Sequence, residues 1–272
     1  GPAVIGVFAC QLLVSVFCAA AQLPPLNIEM TADHPAFIFS YPAFDGRDAA
    51  AYAAEVRTAC EALPEDIRPY ALMGVDAGDT GADGRHARYR ALLEPLQAAD
   101  VPVVVRIADA DWMHRYNLAD LDALLAEYTV VRGVEVTGLP FNQYAGPGPG
   151  AGATEAIVAW LTEAIDVAAN YGRFVHMPLA KLAWPRIMAN VSCAPLYAKL
   201  RERADYVVPS CLHRGPHNLA RMSALLGLWL EGAAAAWGVA ADARWYTDAW
   251  FVRPGVSGRP GESASIPAGL YR

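Results

Sequence analysis

The chain has 272 residues, a formal net charge of −7, 55% hydrophobic and 18% charged residues, and a mean hydropathy of +0.21. That length suffices for one large domain or two ordinary ones, with a sizeable core in either case. The apolar fraction excludes a disordered chain, and a net negative charge with scattered basic residues excludes a dedicated nucleic-acid binder.

The N-terminal 28 residues carry no charge, and Ala3–Ala21 is almost wholly apolar. A secretory signal has an apolar region of about 7–15 residues followed by small ones, and Cys18-Ala19-Ala20-Ala21-Gln22 fits that ending. A membrane anchor needs about 20 apolar residues, and the run is just long enough. A buried helix is the third reading, but Pro24-Pro25 would strand it outside any repeat. The first two readings predict a secreted or cell-surface protein, with membrane contact only for an uncleaved anchor. Of five cysteines, Cys60, Cys193 and Cys211 lie beyond this segment and form no CxxC. Buried thiols fit that pattern better than a disulfide with one thiol left over.

Beyond residue 30, β-rich runs alternate with Ala/Leu-rich helical stretches. The predicted strands are Ala36–Tyr41, Tyr70–Val75, Pro102–Ile107, Val134–Gly138, Arg173–Met177, Tyr206–Ser210 and, weakly patterned, Ala234–Val239. Their starts recur about every 30–40 residues, the length of one βα unit. The runs are near-continuously apolar, as parallel strands covered on both faces require. Helices are predicted over Ala49–Leu63, Arg85–Ala99, Leu118–Tyr128, Thr154–Tyr171, Arg186–Ala204, Asn218–Leu230 and Asp242–Phe251. Asn117 with Asp120, and Thr154 with Glu155, put acceptors and negative charge at helix starts. Gly133 and Gly172 are expected just past helix ends.

Seven or eight such units predict an α/β fold, a (β/α)8 TIM-type barrel over residues 30–252 that is either complete or incomplete at its C-terminal end. The Pro/Gly-rich stretch 253–272 is either a tail or the start of the last unit. A doubly wound open sheet is the alternative, but no GxGxxG or GxxxxGK[ST] follows any strand.

In a barrel, chemistry gathers at the C-terminal ends of the strands. Those ends carry Tyr41, Asp45, Asp76, Asp79, Arg106, Asp109, Asp111, Glu135, Thr137, Asn142, Tyr144, His176, Cys211, His213 and Trp237. The set is rich in acids and aromatics, and it lacks HxH, HExxH and GxSxG patterns. Chemistry without a cofactor or metal is therefore expected. The loop around Asp76 and Asp79 resembles a calcium loop but lacks its closing Glu.

Acids and aromatics on a secreted barrel point to sugars. Glycosidic cleavage needs one acid to protonate the leaving oxygen and a second carboxylate to activate water or attack. Aromatic faces stack on sugar rings, and Trp112, Trp237, Trp245 and Trp250 fall near loop ends, whereas Trp160, Trp184 and Trp229 have helical spacing. Glu135, flanked by Val134 and Val136, is read in two ways: a general acid whose pKa is raised by burial, or an interior acid paired with Arg106. His176 and His213 are either wall residues or catalysts.

Several stretches, in order across about 60–250, resemble glycoside hydrolase family 98, a group of secreted endo-acting barrel enzymes. They are Ala62–Tyr70 (ALPEDIRPY), Leu121–Gly133 (LDALLAEYTVVRG), Lys181–Met188 (KLAWPRIM), Gly227–Gly232 (GLWLEG), Trp237-Gly238 and Trp245-Tyr246. The resemblance implies an inverting endo-hydrolase of complex glycans or xylan, with carboxylates about 6.5–9.5 Å apart. It also implies an acid at the end of the fourth strand, where this chain has Thr137 and Gly138, so that Glu135 is the closest carboxylate. In the seventh unit it implies an acid shortly before Trp237, and Glu231 is the nearest. Glu135 with Asp76 or Glu231 is the expected acid/base set. Tyr41, Arg106, Asn142, Tyr144, His176, His213 and Trp237 are the expected carbohydrate contacts. The alternative is a catalytically inactive barrel that binds glycan or a protein partner.

Overall fold

The structure, a computed structural model, describes residues 22–31, 33–44, 46, 48–78, 82–109, 114–139, 141, 153–179, 183–213, 219–241 and 268–271. Seven parallel strands alternate with helices in a TIM-like α/β fold. The order is β1 (Ala36–Ser40), α1 (Ala49–Glu61), β2 (Ala71–Val75), α2 (Ala82–Ala98), β3 (Val103–Ala108), α3 (Leu118–Glu127) and β4 (Val131–Val136). Then come α4 (Ala153–Asn170), β5 (Phe174–Leu179), α5 (Ala183–Ala189), α6 (Ala194–Glu202), β6 (Val207–His213), α7 (Leu219–Leu230) and β7 (Trp237–Ala241). A last strand, β8 (Ala268–Tyr271), pairs antiparallel with both β7 and β1 and closes the ring. The architecture therefore departs from eight parallel units: closure comes from a short strand running the other way.

Two predicted boundaries shift for visible reasons. Gly133 lies inside β4 and not past a helix end, because the chain leaves α3 at Tyr128 and is already in the sheet at Val131. The single helix expected over Arg186–Ala204 is broken at Asn190, whose side chain accepts from the Ser192 N–H, and α6 restarts with Pro195 in its first turn. The start of α3 follows the reading: Asn117 Oδ1 accepts from Ala119 N at 2.8 Å and Asp120 N at 3.3 Å. The helix expected over Asp242–Phe251 lies outside the described residues, as does Ala3–Ala21. Among the described residues no helix is long and apolar enough to cross a membrane. Cys60, Cys193 and Cys211 are buried, and none of the three is in a disulfide.

Two hydrophobic layers position everything else. The larger packs the outward faces of the strands against the helices, with Val105, Ile107, Val134, Val136, Val175 and Met177 among its members. The smaller joins Ile38, Leu72, Val104, Phe174, Val208 and Ala236. It contains no helix residue and brings together strands from opposite sides of the ring, so it is the barrel interior. Leu26, Ile28 and Met30 cover it from the N-terminal end. That covering segment is tied down by Asn27 N to Gly172 O at 2.9 Å and by Tyr206 OH to Pro24 O at 2.6 Å. Gly172, at φ +65°, fits there because a Cβ would lie 2.3 Å from the Pro25 carbonyl oxygen.

Candidate active site

Side chains in a strand alternate between faces, so the interior apolar layer fixes which residues stand above it. Two positions beyond Val104, Phe174 and Val208 come Arg106, His176 and Ser210, and two beyond Gly133 comes Glu135. Asp76, four beyond Leu72, follows β2. The cross-strand register sets Arg106 beside Glu135 and Glu135 beside His176. The inner wall thus changes from apolar to polar in one step toward the C-terminal ends of the strands.

These residues form a continuous belt across β2 to β6. Arg106 Nη1 donates to Asp76 Oδ2 at 3.0 Å, while Nε and Nη2 both donate to Glu135 Oε1 at 3.0 Å. His176 Nδ1 lies 3.1 Å from Glu135 Oε2, and its Nε2 lies 2.9 Å from Ser210 Oγ. Asp76 Oδ1 also accepts from Gly78 N at 3.0 Å. Side-chain exposure is 16% for Asp76 and 31% for Arg106, then falls to 10% for Glu135 and 0% for His176.

Electrostatics decide the state of the central acid. Burial pushes the Glu135 carboxyl up, but the His176 hydrogen bond and the Arg106 charge outweigh it and hold the pKa down at about 2. Glu135 is therefore an ionised carboxylate at neutral pH, and the raised pKa expected of a general acid is not found. Burial opposes the Arg106 charge, yet the Glu135 and Asp76 carboxylates raise its pKa further and keep it cationic. Tyr89, buried in the outer layer on α2, donates to the Arg106 carbonyl oxygen, and burial first, then the Asp76 charge, pushes its phenol up.

Of the expected site residues, Asp76, Arg106, Glu135 and His176 come together. His176 is fully enclosed, with both ring nitrogens taken, so it holds Glu135 and does not face the mouth. Glu231 lies elsewhere: it follows α7 at the N-terminal end of β7, is exposed, and accepts from the Tyr197 hydroxyl on α6. Tyr41 turns to the helix layer, donating to Glu55 Oε2 at 3.2 Å and packing edge-on against Tyr52. Trp237 packs against the outer hydrophobic layer, as alternation demands when its neighbour Ala236 faces inward. His213 ends β6, and its side chain lies outside the described residues, as do Asn142, Tyr144, Asp45, Asp79, Asp111, Trp112, Trp245 and Trp250. Among the described residues no group of three His, Cys, Asp or Glu side chains could hold a metal ion.

Sequence reasoning missed Ser210; Trp184, expected from its helical spacing to be core, is buried and donates from Nε1 to the Ser210 carbonyl at 2.8 Å. Stepping by two from Val208 would have found Ser210.

A TIM-like barrel with an ionised belt on its inner wall, toward the C-terminal ends of the parallel strands, is the layout of many barrel enzymes. The profile of glycosyl hydrolase family 98 matches residues 26–265. The chain belongs to that family. Solved structures agree in fold. The catalytic module of a family 98 glycoside hydrolase from Streptococcus pneumoniae TIGR4, in its native form, is 18% identical with a TM-score of 0.62, over 82% of this chain and 40% of that one. The same module in complex with the LewisY pentasaccharide blood group antigen gives 18% identity and a TM-score of 0.62, covering 79% and 39%. In complex with the H-disaccharide blood group antigen it gives 17% and 0.63, covering 81% and 39%. The chain spans about two fifths of the length of those modules. A search of curated proteins found no match.

Proposed function

We propose that the chain is a glycan-acting hydrolase whose site is the barrel mouth above Asp76, Arg106 and Glu135. The reaction is hydrolysis of O-glycosidic bonds within complex glycans or xylan by a carboxylate pair. The observation that carries this reading is the convergence of two acids on one guanidinium in a family 98 barrel. Glycosidic cleavage builds positive charge at the anomeric carbon, and fixed ionised carboxylates stabilise such charge. Glu135, held at about 2, suits the base or charge-stabilising role and not proton donation. Asp76 is the more exposed of the two acids. Carbohydrate complexes of the pneumococcal module support carbohydrate as the ligand class. Secretion belongs to the same reading, supported by the apolar Ala3–Ala21 and its small-residue ending.

A second reading, a barrel that binds glycan without turnover, is favoured by the saturation of Glu135 by Arg106 and His176 and by the lack of an acid at Thr137 and Gly138. Reducing-end release from a panel of complex glycans and xylan oligosaccharides, measured beside glycan binding, separates the two. Release that falls by about 100-fold or more in Glu135→Gln and Asp76→Asn supports hydrolysis. Binding with no release by the unaltered chain supports the second reading. Neither binding nor release sinks both.

A further inference from the structure

Ser210, the last link of the belt, has no part in the reading above. Ser210 and His176 each have 0% exposure, so neither meets a ligand in the mouth. With Glu135 they form a hydroxyl–imidazole–carboxylate array, the order of groups that activates a serine in nucleophilic hydrolases. The enclosure of Ser210 rules out that use here, because no substrate carbonyl can reach its oxygen.

The direction of the hydrogen bonds follows from the groups themselves. An ionised carboxylate only accepts, so the proton between Glu135 and His176 sits on Nδ1. In the neutral ring Nε2 then offers a lone pair, which Ser210 Oγ–H fills at 2.9 Å. Turned over, the ring would set carbon atoms against both partners. With the other tautomer, a lone pair would face the carboxylate at 3.1 Å. Ser210 is itself fixed: its strand is paired on both sides, and Trp184, 1% exposed, donates to its carbonyl oxygen.

We propose that Ser210 is a positioning residue: its hydroxyl locks the orientation and tautomer of His176 so that Nδ1–H is held on Glu135. The consequence for glycan chemistry rests on the reading of Glu135 as the ionised carboxylate of that site. The tautomer itself does not depend on that reading.

The test is nitrogen-15 NMR of the histidine rings in the full chain at neutral pH, for the unaltered protein, Ser210→Ala and Ser210→Thr, with pH profiles of glycan release alongside. The expected result is a His176 ring protonated at Nδ1 and bare at Nε2, with a slowly exchanging Nδ1–H. Ser210→Ala should lose that protected proton, Ser210→Thr should keep it, and the acid limb of glycan release should move to higher pH in Ser210→Ala alone. A proton on Nε2 in the unaltered chain, or a Ser210→Ala ring indistinguishable from it, overturns the proposal. A changed ring with an unchanged release profile upholds the role of Ser210 and overturns that of Glu135 in glycan chemistry.

Discussion

Arg106 donates from both Nε and Nη2 to one oxygen of Glu135, each at 3.0 Å, and keeps Nη1 for Asp76. One guanidinium on β3 therefore fixes acids from both neighbouring strands, which the single point charge of a lysine could not do. Arg106→Met leaves Glu135 ionised and enclosed without its cation. The expected loss is about 3–5 kcal/mol in urea unfolding. The double variant Arg106→Met with Glu135→Gln should recover part of it, since the stranded charge is gone. Strict additivity of the two single losses would show that the pair is not coupled.

Acid stability carries the signature of the same pair. The Glu135 carboxyl is held at about 2 against an ordinary value of 4.5. Between those values the unfolded chain binds a proton that the folded chain does not. The contribution is therefore complete above pH 4.5 and is lost as pH falls toward 2. The gap corresponds to about 3 kcal/mol at neutral pH. Urea unfolding at stepped pH should show a shallower acid decline for Glu135→Gln than for the unaltered chain. Parallel declines would mean that other carboxylates govern acid unfolding.

The seven parallel strands are legible because most are short apolar runs between amphipathic helices, β7 being the weakly patterned exception, and Glu135 stands out because an acid between two valines needs a reason. Arg106 was correctly offered as its partner. What could not be read was the ring of contacts. His176 looked like a lone histidine, and Ser210 carried no signal of its own, since both acquire meaning only from register across strands. Tyr41 and Trp237 are drawn in by chain position near strand ends, and Glu231 by the family resemblance, which implies an acid shortly before Trp237. Alternation turns the two aromatics toward the helix layer, and Glu231, ahead of β7, falls at the N-terminal ends of the strands. The closing strand β8 falls within 253–272, the stretch read as a tail or the start of the last unit, and its antiparallel pairing and four-residue length leave it without a strand pattern of its own.

Gly133 owes its place to Phe174. On the interior face of β4 a Cβ at this position would lie 2.6–2.7 Å from three atoms of the Phe174 ring, which fills the barrel beneath Glu135. The ring is fully enclosed, so it has nowhere to retreat. Gly133→Ala should cost about 1–3 kcal/mol through overpacking, read as a drop in thermal midpoint. Adding Phe174→Leu should return part of that loss by opening the space. A Gly133→Ala chain as stable as the original would show that the ring moves freely.

Asp76 and Glu231 stand at opposite ends of the barrel, and that contrast tests where the site is. Glu231 is exposed, with the Tyr197 hydroxyl on its carboxylate. Glu231→Gln keeps an acceptor for that hydroxyl, so stability should stay within about 0.5 kcal/mol and glycan affinity should be unchanged. Asp76→Asn removes one of the two acids on Arg106 at the open end and should weaken glycan binding or release. Titration calorimetry with one glycan from the panel, run on both variants, checks the pair together. Equal losses would move the site off the C-terminal ends of the strands, and a loss in Glu231→Gln only would place it on the α6–α7 side of the N-terminal face.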